Sequence, residues 1–160
     1  MSVWAKRAAL IFLSGLAGCL TTTSDRSGDR ALGQGERLEV ENAVDRAIRE
    51  KCERGDWNGA AKICRQYLAK GRDDLSLILA ATRLALVNWN AGDRVGAVIA
   101  MDAVVVACQT IGGECVTRAT AFRAALREER VPKTFSVSEV MGLTGVRREI
   151  FEAARDASKK

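Results

Sequence analysis

From Leu38 onward, apolar residues recur at spacings of three and four. Leu38, Val40, Ala43, Val44, Ala47, Ile48 and Cys52 make one stripe, and Glu39, Glu41, Asp45, Arg46, Arg49, Glu50 and Glu53 fill the other side. That period predicts an amphipathic helix over 38–53. Gly55 stops it and Asp56 is placed to cap a second helix, Trp57 to Lys70, with Trp57, Ala60, Ala61, Ile63, Cys64, Tyr67 and Leu68 inward. Gly71 and then Asp73 or Asp74 repeat the stop and the cap before a third helix, Leu75 to about Ala91. Gly92-Asp93 does so again before a fourth, Arg94 to about Thr110.

The third and fourth predicted helices are apolar on most sides. From Val95 to Cys108 the one strongly polar residue is Asp102. The run is shorter than the ~20 apolar residues of a membrane span and carries a carboxylate, so both helices are expected at the buried centre of a domain. Arg83 and Asp102 then lie nine to ten residues either side of the Gly92-Asp93 turn. Antiparallel helices would bring them level, as an ion pair that fixes register.

Ile111-Gly112-Gly113-Glu114 reads as a turn, followed by a fifth helix over 116–130 that Pro132 ends. Ser136 and Glu139 have capping-box spacing for a short helix through Met141; after Gly142 and Thr144 a last helix runs from Val146 to Ala157. The expected fold is all-α: one domain over 38–158, about seven helices, no strand.

Gly55-Asp56-Trp57-Asn58-Gly59-Ala60 and Gly92-Asp93-Arg94-Val95-Gly96-Ala97 echo each other at an offset of 37 residues. Stop, cap and a small Ala where two backbones approach are similar to the inner turn of tetratricopeptide repeats. The resemblance spans about 40–110. The aromatic and glycine positions of that family's first helix are not matched, since Val44, Ala47, Ile48 and Lys51 stand there. Two architectures therefore fit, stacked tetratricopeptide-like α-hairpins or a non-repeat helical bundle. The first implies protein binding on a concave surface, with helices five to seven acting as a cap because two units are too few to stand alone.

Before the domain the pattern changes. Lys6 and Arg7 precede an apolar run from Ala8 to Leu13, then Ser14, Gly15 and Leu16-Ala17-Gly18-Cys19. A basic start, a short apolar middle and small residues before a cut site make an export signal. With Cys at its end it resembles the lipobox of bacterial lipoproteins. The resemblance implies removal of residues 1–18 and lipidation of Cys19. With Leu20 rather than Asp next, it implies an outer-membrane address facing the periplasm. Leu20 to Arg37, rich in Thr, Ser and Gly, reads as a flexible tether, of which Cys19 is the anchor (19–37 together), with a span of roughly 20–25 Å.

Of five Cys, the lipid takes Cys19, and export turns Cys52, Cys64, Cys108 and Cys115 into expected disulfides. Cys108 and Cys115 flank their turn almost symmetrically, whereas Cys52 and Cys64 are offset by about four residues, roughly 6 Å along the axes. Their spacings fit no zinc knuckle, and the chain has no His, so no metal site is expected.

Composition narrows the chemistry further. Lys6 and Arg7 account for two of 25 basic residues, leaving 23 against 20 acidic ones, a small, interspersed surplus that does not point to nucleic acid. Residues 136–148, with Arg147 and Arg148 at a helix start, resemble a DNA-binding helix-turn-helix; an exported domain would not meet DNA, so the expectation is two short helices packed on the bundle. Without His there is no Ser-His-Asp triad or zinc-protease helix, and Glu128-Glu129 sits on a charged face. Trp57 and Trp89, near the hairpin turns, read as packing aromatics. The sequence therefore leads to a non-enzymatic, cofactor-free scaffold: anchored to the membrane through Cys19, it would bind a protein partner of an envelope machine such as a secretion, pilus or conjugation apparatus. No small-molecule substrate is identified. The alternatives are a small envelope hydrolase working through two carboxylates and, behind it, a helix-turn-helix regulator.

Overall fold

The structure, a computed structural model, describes residues 34–71 and 73–159. They form an all-α domain of seven helices: α1 Gln34–Glu53, α2 Trp57–Ala69, α3 Asp74–Asn90, α4 Arg94–Ile111, α5 Glu114–Arg127, α6 Val137–Met141 and α7 Gly145–Ala157. No strand occurs among the described residues. The lipobox, Cys19 and most of the tether lie outside them. The tether's last residues, 34–37, belong to α1 rather than to coil. Gln34, Glu36 and Arg37 are good helix formers, and Gly35 costs only about 1 kcal/mol.

The two echoed turns have the same geometry. Gly55 and Gly92 adopt φ of +71° and +82°, the left-handed region open to glycine. Each closes the preceding helix with the same hydrogen-bond pair. Gly55 N–H donates to the Cys52 carbonyl and Asp56 N–H to that of Lys51; Gly92 and Asp93 do the same to Trp89 and Asn88. Asp56 then accepts from Gly59 N–H and Asp93 from Gly96 N–H. A Cβ at Gly59 or Gly96 would collide with the capping carboxylate. Ala60 and Ala97 follow, fully buried where the helices cross. The echo is thus one physical device used twice. Asp73 caps α3 through Ser76 N–H, and Ser136 and Glu139 complete their capping box on α6.

Consecutive helices from α1 to α5 pack on one another, and the chain then turns back. Helix α6 packs on α1 and α3, and α7 on α5 and α3, with a smaller contact to α4. The closing helices therefore do not simply extend the stack as an end cap. They lie on alternate helices of the stack, α6 across α1 and α3 and α7 across α3 and α5. The segment leading to them is pinned to the end of α3: Trp89 Nε1 donates to the Pro132 carbonyl (2.9 Å), while Asn90 donates to the Phe135 carbonyl and accepts from Phe135 N–H (both 2.8 Å).

Helix α3 is the central element, with Ile78, Leu84, Leu86, Val87 and Trp89 in the core. Helix α4 departs from expectation. Ala97, Ala100, Met101, Val104 and Cys108 are buried, but Val95, Ile99 and Val106 are 70%, 47% and 61% exposed. The helix packs mainly on α3 and α5, so one side faces outward. By length and composition it is apolar enough to cross a membrane, yet in this domain it is a half-buried helix.

Candidate functional site

A cavity of about 150 Å³ opens where α1, α2 and α3 meet, lined by Asp45, Tyr67, Ser76, Leu79, Ala80 and Arg83. Arg83 projects from α3 to form an ion pair with Asp45 on α1. The guanidinium side is largely buried, at 14% exposure, whereas the Asp45 side chain is 52% exposed at the mouth. The Ser76 hydroxyl donates to the capping carboxylate of Asp73 (2.9 Å).

Close to this pair lies a second guanidinium. Arg147, at the start of α7, is 2% exposed. It donates to the carbonyls of Val140 (2.7 Å) and Gly142 at the end of α6, and to that of Leu79 on α3 (3.2 Å). One side chain thus ties α6, α7 and α3 together. Burial pushes its pKa down to about 10; the nearby Arg83 adds to this, while Asp45 and Cys64 oppose it. The Nε atoms of Arg83 and Arg147 are buried without a hydrogen-bond partner, an unfavourable arrangement that the other donor contacts offset. Cys52 and Cys64 complete the neighbourhood as buried free thiols. Desolvation pushes both up to about 11, against the lowering effect of Arg83.

The positions singled out by sequence separate here. Arg83 and Asp102 do not meet. Arg83 faces Asp45, and Asp102 pairs with Arg123 of α5 (2.7 Å) on the outer surface, half exposed. Level placement was not enough, because the two side chains leave the α3–α4 hairpin in different directions. The true partner of Arg83 lies 38 residues away, close to the 37-residue offset of the repeated turns. That offset is the sequence clue that Asp45 on α1 and Arg83 on α3 stand at corresponding places of the two echoed units. Asp102 and Arg123 lie almost symmetrically about Gly112-Gly113 and were likewise legible.

Cys108 and Cys115 are bridged, with Cα atoms 5.4 Å apart, as their symmetry about the turn implies. Cys52 and Cys64 are not joined; the offset between them carries them past one another along the α1–α2 hairpin. The helix-turn-helix expectation loses its reading head: Arg147 is consumed by three carbonyls and Arg148 pairs with Glu152 within α7. Trp89 is buried beneath the Arg94 guanidinium, 3.5 Å from the ring centroid, and Trp57 packs against the core. Glu128 pairs with Arg130 on the surface.

Asp45 is the one carboxylate among the residues lining the cavity, so the cavity lacks the two converging acids of a glycosidase-type site. Among the described residues no group of three or more Cys, Asp or Glu is placed to hold a metal. The cavity is smaller than the ~300–1,000 Å³ of small-molecule sites and has room for about one side chain. Compared with known protein families, curated proteins and solved structures, the chain matches none.

Proposed function

We propose that this protein is an exported lipoprotein scaffold, anchored through Cys19 to the outer membrane on its periplasmic side, whose helical domain holds a protein partner of an envelope machine. The observation that carries the address is the ordered leader, Lys6-Arg7, the apolar run and Leu16-Ala17-Gly18-Cys19. The domain supports the binding role. Its paired hairpins with identical turns fit a tetratricopeptide-like origin. The cleft at Asp45 and Arg83, where α1, α2 and α3 meet, is sized for one anchoring side chain of a partner.

Intact-mass measurement on protein from cell envelopes tests the address. Loss of residues 1–18 with diacyl or triacyl mass on Cys19 is expected, and an unprocessed chain beginning at Met1 overturns it. A photo-crosslinking residue at Ala80 tests the binding role. It should capture one envelope protein in living cells, whereas the same group at Glu128 should not. Capture of nothing from Ala80, in a chain shown to be lipidated, would remove the scaffold reading while leaving the address intact.

A further inference from the structure

The cleft between α1, α2 and α3 holds more positive charge than its own residues neutralise. Arg83 lines it with a largely buried side chain and pairs with Asp45. The Arg83 Nε is buried with no hydrogen-bond partner. Arg147 adjoins the same wall: it donates to the carbonyl of Leu79, and Leu79 lines the cleft. The groups that receive hydrogen bonds from Arg147 are backbone carbonyls, so it brings a charge and no counter-charge. Cys52 and Cys64, buried nearby, are kept as neutral thiols by desolvation. Two guanidinium charges therefore share one carboxylate. That carboxylate, Asp45, stands at the mouth with its side chain 52% exposed, where water screens it. Buried cations are ordinarily matched by an anion close by, and one left without a match is costly.

The cleft is also polarised along its length. Ser76, Leu79, Ala80 and Arg83 follow one face of α3, so Ser76 and Arg83 are about 10 Å apart along the helix. At the Ser76 end stands the Asp73 carboxylate, engaged in capping α3 through the Ser76 N–H and hydroxyl. At the other end stands Arg83. An incoming anion is repelled from the first end and drawn to the second. A cation entering at Arg83 meets a guanidinium whose counter-charge is already engaged.

We infer that the Arg83 end of the cleft binds a carboxylate carried by the partner, on an acidic side chain or at a chain end. A guanidinium offers a planar fork of N–H donors that matches the paired oxygens of a carboxylate. Asp45 is held through Nη1, and the unpartnered Nε lies on the same fork. The cavity of about 150 Å³ admits one such group. The carboxylate is the anchoring group of the partner held by this cleft, so its role rests on the binding function proposed above.

A nuclear magnetic resonance titration of the isotope-labelled full-length chain tests this. The signal followed is the Arg83 Nε–H, assigned by its loss in Arg83→Lys. N-acetyl-glutamate N-methylamide presents an acidic side chain, N-acetylglycine a chain end, and N-acetyl-glutamine N-methylamide a neutral group of the same shape. At least one carboxylate should shift the signal with a Kd on the order of millimolar, as for ligands of this size. The neutral amide should bind at least about tenfold more weakly. The tighter of the two carboxylates names the source. Asp45→Asn removes the competing carboxylate and should tighten carboxylate binding by about threefold, the worth of one part-exposed charge pair. A cleft built for a cation would respond with the opposite sign. No shift with either carboxylate, equal binding of the amide, or weaker carboxylate binding in folded Asp45→Asn would each overturn the inference. If Asp45→Asn does not fold, the titration of the unsubstituted chain decides alone.

The crosslinker at Ala80 separates this inference from the function it rests on. Capture of a partner at Ala80 without a response to either carboxylate leaves the scaffold standing and removes the carboxylate. A carboxylate response without capture keeps the anion site and removes the scaffold.

Discussion

Helices α3 and α4 are joined by a tight turn, are nearly equal in length at 17 and 18 residues, and are the two most apolar of the long helices. They nevertheless meet different surroundings. Ten residues of α3 are buried against seven of α4, and α4 leaves Val95, Ile99 and Val106 in solvent. The difference lies in their neighbours. Helix α3 is packed by α2, α4, α6 and α7, whereas α4 packs chiefly on α3 and α5. What makes α3 central is the return of the last two helices across it, an event that begins 47 residues after α3 ends. Apolarity all round a helix states a demand for cover; it does not say from which side the cover comes.

The largest expected effect bears on that contrast. Leu86→Ala in α3 should destabilise the domain by about 2–5 kcal/mol, the cost of lost transfer free energy plus a cavity. Ile99→Ala in α4 should cost less than about 1 kcal/mol, because its side chain is already half in water. Equal losses in chemical denaturation would mean that α4 is covered in the folded protein. Next comes Arg147, the clamp that holds the cover on α3. Arg147→Met keeps much of the stem but strands the carbonyls of Val140, Gly142 and Leu79, and should cost about 3 kcal/mol. Hydrogen exchange should rise first in α6 and α7. An unchanged exchange pattern would show that the apolar side of α7 suffices to hold it.

Reduction of the Cys108–Cys115 bridge should follow, at about 2.5 kcal/mol for so short a loop, with the melting temperature falling accordingly. It should loosen the end of α4 and leave the centre of α3 protected. Native protein should expose neither Cys52 nor Cys64 to a thiol reagent, while unfolded protein should expose both. Labelling of either thiol without unfolding would contradict their burial.

A smaller effect is acid-dependent. Backbone and hydroxyl donation from Ser76 holds the Asp73 carboxyl below its ordinary pKa. A carboxyl lowered in the folded state adds stability at pH values above its unfolded pKa, and that stability is lost as pH falls through the folded value. Asp56, lowered by Lys51 and Gly59, and Glu139, lowered by Ser136, act with the same sign. Melting temperature should therefore fall on acidification below about pH 4. Asp73→Ala should cost about 1 kcal/mol near neutrality and flatten that decline. Smallest of all is Asp102→Ala, expected below about 0.5 kcal/mol, as for an exposed surface pair. A cost of several kcal/mol would bring back a buried carboxylate and erase the difference between the two helices.

Local features were legible because their causes are local. Gly55 and Gly92 end helices, Asp56, Asp73, Asp93 and Ser136 begin them, and Cys108 and Cys115 bracket one turn, all within a few residues of sequence. The cavity was less legible. Asp45 was readable only as a charge on the polar side of its helix, and Arg147 only as a charge at a helix start in the helix-turn-helix look-alike. Pairing Arg83 with Asp102 failed because axial level is one coordinate and rotation about the helix is another, which a mainly apolar stretch does not report. The correspondence of Asp45 and Arg83 was contained in the 37-residue echo, but their meeting required both side chains to point into one cleft.

By itself, then, the sequence determined the helices, their caps, the two like turns and the bridged one, since each depends on backbone conformation and short-range hydrogen bonding that a few neighbouring residues decide. Only the tertiary structure decided that Arg147 is buried, that Cys52 and Cys64 pass without bonding, and which side of α4 faces water. Those outcomes depend on contacts between segments far apart in the chain, where many apolar surfaces compete for the same cover and packing geometry selects among them.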